Sequence, residues 1–438
     1  MGIYGRYTGT MDIQEEEKQK FTENVLKLLN YGGMVQFDQV SMYGMEIALM
    51  KPVEVNQEEL EAQIRQHRRK IVFRVIEITA IIVILVVAVE LLYALRSFSS
   101  YEIRNSIERN NTDVAKFAQF NDYIIEYSND GAACVTHSRD ILWNQSYEMS
   151  APDVDVCGKY VAIYDRGGTE VNVLGEKGLQ CKIETTLPIQ TVSIASQGTV
   201  AILMRGEAEA QIKLFDKKGE ELANGKFYGE QGSFPLDVAL SKDGKKLAVN
   251  MIDTSQGAVG TTISFYNFGS VGQSQIDNNV GTYTYNNLLI PEIEYLSDSQ
   301  MIAFGTGKIL LFEGSQKPEL SKEIILEQEI QSYFYNDKYI GIVYDSVDTD
   351  NLWHVKVMDL KGKTVMENDI SIAYTKIEFL SNNEICASNE RECELFTLHS
   401  IKKFAYTFEK PLYKIIARDG AQNYTFIFKE TTEEVRLK

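Results

Sequence analysis

The chain has 438 residues and a formal charge of −18; 44% apolar and 24% charged residues are the composition of folded protein, which excludes a wholly disordered chain. A nucleic acid or an anionic lipid surface would have to bind against long-range repulsion, so neither is an expected ligand. The 24 Tyr and 20 Phe against only 7 Pro, with 30 Gly spread along the length, predict many short strands joined by turns.

At the N-terminus, Phe21, Val25, Leu28 and Leu29 fall at helical spacing, and Gly32 and Gly33 stop that helix. Residues 34–50 (MVQFDQVSMYGMEIALM) alternate well enough for two strands turned near Tyr43 and Gly44, and Pro52 ends them before a charged helix from Gln57. Residues 1–70 therefore read as a small α+β module, too short to hold a large core alone. Its Met and Tyr content suits either docking to another cytoplasmic protein or a spacer role.

From Ile71 to Leu95 the chain is dominated by apolar side chains, with an uncharged run over Ile78 to Val89. About 25 helical residues extend roughly 37 Å, enough to cross a bilayer with tilt. A helix apolar on every face needs lipid or a very large core around it, so residues 71–95 are expected to form one transmembrane helix. Arg65, Arg68, Arg69, Lys70 and Arg74 precede or enter the run, whereas Arg96, Arg104 and Arg109 are sparser on the far side, which predicts a cytoplasmic N-terminus. With 70 residues before the run and Arg96, Ser97 and Phe98 after it, the segment reads as a signal anchor and not as a cleaved leader. Glu77 lies three residues after Arg74 and can pair with it on one helical face; Glu90 can reach the outer interface or meet a polar group of a partner helix.

Residues 96–112 read as a polar stalk, expected to be helical, and residues 113–438 as the main domain. There a pattern recurs about every forty residues. Its apolar second strands are Tyr123 to Tyr127, Tyr160 to Tyr164, Val200 to Met204, Leu247 to Met251, Met301 to Phe304, Tyr339 to Tyr344, Glu384 to Ala387 and Tyr424 to Phe428. The turns before them (FND, CGK, SQG, SKDGK, LSDS, YNDK, LSNN and DGAQ) are rich in Asn, Asp and Gly, which accept left-handed backbone. LFDKKGEEL at Leu214 to Leu222 and VMDLKGKTV at Val357 to Val365 are near copies of one another.

LSKDGKKLAVN, Leu240 to Asn250, resembles the turn before an inner strand in WD-repeat, quinoprotein-like and translocation-protein-B-like β-propellers. With the N-terminal segment and single anchor, the chain resembles a membrane-anchored propeller family of unknown function from Clostridia-type Gram-positive bacteria. The resemblance implies a mainly β fold and no enzyme activity. It departs from true WD repeats in lacking Trp-Asp endings, since Trp143 and Trp353 are the two tryptophans, and from quinoproteins in lacking a cofactor signature. Four-stranded sheets bury both faces when stacked in a ring. Eight blades fit best, with seven the alternative if the long unit from Ser233 to Leu288 is miscounted. The last unit supplies three strands, so a strand from before Asp113 is expected to complete it.

Chemistry is sparse. The histidines are His67, His137, His354 and His399, with no metal-ligand spacing, and His137 and His399 fall in late strands or turns. There is no nucleophile elbow, phosphate-cradling loop or HExxH. Asp345, Asp348, Asp350 and Asn351 offer oxygens but lack EF-hand order, so a solvated loop is the plainer reading. Cys134, Cys157, Cys181, Cys386 and Cys393 are too few and too scattered for a disulfide framework; Cys386 and Cys393 could meet across a hairpin, but buried or unpaired thiols are preferred. No catalytic, cofactor-binding or metal-binding residues are assigned, and no cofactor is expected.

The sequence reading is thus an extracellular propeller tethered to the plasma membrane, binding a protein or cell-wall partner at one rim, where Tyr283, Tyr285 and residues 257–281 suggest themselves. The rivals are an extracellular hydrolase or lyase with groups gathered at the central channel, and a transmembrane signalling receptor.

Overall fold

In the computed structural model the described residues are 57–94, 96–109, 116–228, 233–254, 258–326, 328–348 and 350–438, with short pieces at 20, 23, 35–36 and 51–52. They fall into two units that meet in sequence between Val89 and Glu90. In the first, Val35–Gln36 pair antiparallel with Lys51–Pro52. The expected helix before Gly32 and the turn near Tyr43 lie outside the described residues. A helix runs over Gln57–Ala94, beginning where the charged stretch does. Its portion Arg65–Val89 has a mean hydropathy of 2.8 and none of its most apolar window is buried, so one helix is long and apolar enough to cross a membrane. The buried-core alternative is not met: Ile71, Phe73, Ile84 and Leu92 are all exposed. Within this helix Thr79 Oγ1 donates to the Val75 carbonyl at 2.8 Å, which hides its hydroxyl from an apolar surrounding. The Glu90 side chain lies outside those described.

The second unit is an eight-bladed β-propeller made of eight four-stranded antiparallel sheets. Blades 1 to 8 cover residues 116–146, 152–184, 189–228, 233–285, 292–325, 332–370, 376–407 and 412–437. Ser233 to Tyr285, the segment that left seven blades open, is one regular sheet with a long hairpin insert. All eight expected apolar strands are second strands of blades, and their side chains explain why. Val200–Arg205, for example, is buried on both faces for five consecutive residues, which a solitary sheet cannot achieve. By contrast, the fourth strand of the same blade, Glu221–Tyr228, alternates between exposed and half-buried positions at the outer edge.

Burial occurs between blades. Each of the eight apolar clusters straddles one seam: Ala162 and Val173 of blade 2 pack with Val192 and Ile202 of blade 3, and Phe117 and Ile124 of blade 1 with Ile416 and Ile427 of blade 8. The first strands of consecutive blades touch, as Pro152–Cys157 touches Ile189–Ile194, which sets these strands around the axis.

Residues Tyr101–Glu108, expected as a helical stalk, are instead the fourth strand of blade 8. They run antiparallel to Thr431–Leu437, with Tyr101 opposite Leu437 and Glu108 opposite Thr431. The ring is therefore closed by three strands from the C-terminal end and one from before Asp113, as the missing fourth strand of the last unit required. The physical reason is the open backbone edge of Thr431–Leu437 together with an aromatic socket. Tyr101 meets Tyr406 and Phe426 with ring centroids 5.1 and 5.2 Å away, burial that a solvated helix would forgo.

Candidate functional site

Chemistry in a propeller gathers where the first strands converge. Here those strands carry acids inside apolar runs: Asp155 in PDVDVC, Asp237 in SFPLDVAL, Glu292 and Glu294 in EIEY, and Glu378 in KIEF. Alternation points these side chains away from the apolar seam. Nearly every one is engaged with the neighbouring blade.

Lys116 Nζ donates to the Pro152 carbonyl at 2.9 Å between blades 1 and 2. Asp155 Oδ2 accepts the backbone N–H of Ile194 at 2.7 Å between blades 2 and 3. Ser193 Oγ accepts that of Leu240 at 3.0 Å between blades 3 and 4, and Asp237 Oδ2 that of Ile293 at 2.9 Å between blades 4 and 5. Glu292 accepts the hydroxyls of Tyr333 and Tyr335 at 2.8 and 2.7 Å between blades 5 and 6. Ser332 meets the Tyr374 hydroxyl at 2.6 Å between blades 6 and 7, and both oxygens of Glu378 accept from Lys414 Nζ at 2.7 and 2.6 Å between blades 7 and 8. Between blades 8 and 1, Phe117 faces Tyr413 at 6.1 Å, and the guanidinium of Arg109 lies 4.9 and 5.5 Å from the two ring centroids. Arg109 also donates to the Phe428 carbonyl at 2.8 Å, so the residue just after the N-terminal strand locks the seam.

Burial raises the Asp237 carboxyl to about 8 against the backbone donors that favour its ionised form. Burial likewise raises Glu294 to about 7, with Lys242 at 3.1 Å pulling the other way. Asp155 is also raised by burial. Glu378 behaves oppositely: burial pushes it up, but Lys414 and Lys376 outweigh burial and hold it below the ordinary carboxylate value. A second buried polar group joins blades 7 and 8 away from the axis. There Lys403, 1% exposed, donates to Glu384 and to the Tyr424 hydroxyl, the latter at 2.8 Å.

Such an arrangement holds the blades together. Among the described residues no histidine lies on a first strand. His137 sits in a hairpin of blade 1, its ring 3.3 Å from Thr425, and burial lowers its pKa. His354 is on the third strand of blade 6, 2.8 Å from Asp369. His399 lies in a hairpin of blade 7. No group of three His, Cys, Asp or Glu among the described residues is placed to hold a metal ion. In the Asp345 to Asn351 loop, Asp348 turns inward to the Asp350 N–H and the Asn351 amide at 3.2 and 3.0 Å. All five cysteines are free. Cys386 lies opposite Leu395 and Cys393 opposite Ser388, so the two thiols are staggered and not facing.

One expectation about the rim changes. Tyr283 and Tyr285 pack into the seam of blades 4 and 5, where Tyr283 meets Phe265 and Phe312 and donates to the Pro318 carbonyl at 3.2 Å. They are half-buried against the core of that seam. In the insert beside them, two short 3-10 turns leave Ile276 87% exposed. A cavity of about 900 Å³ lies around the first hairpin of blade 8, bounded by His137, Asn382, Arg418 and Glu434. Arg418 and Glu434 pair at 2.8 Å across its lining. The first-strand acids were missed in the sequence because an isolated Asp or Glu in an apolar run looks like an irregular strand; their recurrence at one position of successive units was the available signal.

Among solved structures, the chain is similar to BamB from Moraxella catarrhalis, at 12% identity and a TM-score of 0.46, covering 77% of this chain and 100% of that one. It is similar to the Pan2 WD40 domain of Neurospora crassa, at 10% identity and 0.41, covering 77% and 95%. It is also similar to Chaetomium thermophilum Raptor, at 10% identity and 0.43, covering 79% and 29%. No curated protein sequence matches the chain. A family profile matches residues 94–437, the whole ring from before its N-terminal strand, and the chain accordingly belongs to a family of unknown function, DUF5711.

Proposed function

We propose that this chain is a noncatalytic binding or scaffolding protein of the cell envelope, tethered in the plasma membrane by one helix with its N-terminus cytoplasmic and its propeller outside. The observation that carries this reading is the engagement of the first-strand acids: Asp155, Asp237, Glu292 and Glu378 each hold a group of the next blade. A hydrolase needs an acid and a base free to move protons at a substrate, whereas a rigid ring with engaged axial groups suits presentation of loops to a partner. The orientation is supported by Arg65, Arg68, Arg69 and Lys70 at the N-terminal end of the apolar helix.

Labelling of intact cells with a membrane-impermeant maleimide tests it, in a background where half-buried Cys181 is Ser. Val347→Cys should label from outside and His67→Cys only after permeabilisation. The reverse pattern overturns the topology. Crosslinking in cells should then capture an envelope partner through the propeller, and turnover of a cell-wall polymer by the purified full-length chain would overturn the noncatalytic reading.

A further inference from the structure

Propeller seams close near the axis and splay outward, and some are refilled by side chains. Tyr283 with Phe312 fills the outer wedge between blades 4 and 5, and Asn368 reaches the Ser400 carbonyl at 2.9 Å across that between blades 6 and 7. The wedge between blades 5 and 6 is among those left open. Lys322 bonds the Lys361 carbonyl and shuts one end, where Gly362 contributes no side chain. From there to the opposite rim a groove of about 550 Å³ remains.

Ile324, Leu326 and Met358 make its apolar lining, and Ile325 and Val347 stand at its mouth, 66% and 92% exposed. Asp345, Asp348, Glu367 and Asp369 also line it, against Lys356 and His354. Lys356 pairs with Glu367 at 3.2 Å and His354 with Asp369 at 2.8 Å, whereas Asp345 and Asp348 have no cationic partner among the described residues: Asp345 accepts the Gln331 amide at 3.3 Å, and Asp348 the Asp350 N–H and the Asn351 amide, so their negative charge is not neutralised. Exposed aliphatic side chains flanked by uncompensated carboxylates have a definite complement.

We propose that the groove between blades 5 and 6 docks an extended segment of a partner protein in which aliphatic residues alternate with lysine or arginine. The aliphatic side chains seat on Ile325, Val347 and Met358, and the cations face Asp345 and Asp348. An acidic partner is rejected by the same carboxylates. This inference rests on the binding reading above and names the site and partner class for it.

The probe is a fluorescent peptide of about 12 residues alternating lysine and valine, long enough to span the groove when extended, with a glutamate–valine peptide as its control. It is titrated against the full-length chain in a neutral detergent. The lysine peptide should bind and the glutamate peptide should not. Asp345→Asn with Asp348→Asn should weaken binding about tenfold, as should Val347→Ser with Ile325→Ser. Glu184→Gln with Glu207→Gln, on blades 2 and 3, should change it less than about twofold, since distant charges on an acidic surface act weakly through salt. A photoreactive group on the peptide should crosslink within residues 324–326 or 344–369. Equal loss from the distant pair, no loss from the groove pairs, or crosslinks elsewhere overturns the proposal. If the groove fails while cells still show an envelope partner crosslinked to another face, this inference falls and the binding reading stands. If the peptide docks as expected and no envelope partner is captured, the reverse holds.

Discussion

Asp237, on the first strand of blade 4, accepts the backbone N–H of Ile293 on the first strand of blade 5 at 2.9 Å. The same relation joins Asp155 to Ile194, and Ser193 to Leu240, so a short polar side chain reaches the next blade's backbone at three consecutive seams. Apolar packing favours stacking of sheets but is non-directional, whereas a bond to one particular amide fixes the register of each blade on the next.

The same acids predict an unusual pH dependence. Burial raises Asp237 from 3.8 to about 8 and Glu294 from 4.5 to about 7, so between those values the native state binds more protons than the unfolded chain. Stability contributed by these protons is present below the unfolded values and is lost as pH rises toward 8. His137, lowered by burial, acts in the opposite sense near its unfolded value. The urea midpoint of the full-length chain, followed by Trp143 and Trp353 fluorescence, should therefore fall between pH 5 and 8. Asp237→Asn keeps an acceptor for Ile293 and should flatten that fall; an unchanged slope would show that Asp237 is not its source.

Glu378 and Lys414 bind blades 7 and 8 through two bonds, with Lys376 3.3 Å from the same carboxylate. Removing one partner leaves a buried charge, which is worse than removing both. Glu378→Met should destabilise by about 3 kcal/mol, and its combination with Lys414→Met should recover most of the loss. A double-mutant cycle on urea midpoints reads the coupling, and additive single effects would contradict it.

The repeat was legible because every blade has a second strand buried on both faces, which leaves an apolar run such as VAILM before or after a glycine-bearing turn. The missing fourth strand was legible too, as an arithmetic gap in the last unit. What hid its identity was local composition: YEIRNSIE is polar and charged, and its strand state comes from pairing with Thr431–Leu437 more than 300 residues away. The axial latches were illegible for a related reason, since Asp237 and Ile293 lie on different blades and neither position reveals its partner locally.

Tyr101 offers a direct measure of that long-range closure. Its ring is surrounded by Phe404, Tyr406, Phe408 and Phe426, with edge-to-face or tilted geometry throughout. Tyr101→Ala should lower stability by about 3 kcal/mol, and Tyr101→Phe, which keeps the ring, by less than about 1 kcal/mol. Limited proteolysis after Arg96 should become faster in the alanine variant, because the strand at the ring's edge is held by this socket. Equal protection in both variants would mean that backbone pairing alone retains it.

The two similar segments, 214–222 and 357–365, which share an Asp, a Lys and a Gly at matching positions, give the last prediction. Both are hairpins between third and fourth strands, in blades 3 and 6. Asp216 Oδ1 accepts the N–H groups of Lys218 and Glu220 at 2.8 and 2.9 Å, and Asp359 Oδ1 those of Lys361 and Lys363 at 2.9 and 2.8 Å. Gly219 and Gly362 then take φ of +84° and +71°, where a side chain is strained. A Cβ on Gly219 would meet Cys181 at 3.5 Å, an ordinary contact, whereas one on Gly362 would meet Lys322 at 3.1 Å. Gly219→Ala should thus cost about 1 kcal/mol from backbone strain alone. Gly362→Ala carries the same strain and also displaces Lys322 from the Lys361 carbonyl, opening the closed end of the groove between blades 5 and 6. The larger loss should belong to Gly362→Ala, and equal urea midpoints for the two variants would show that the Lys322 contact contributes nothing to that seam.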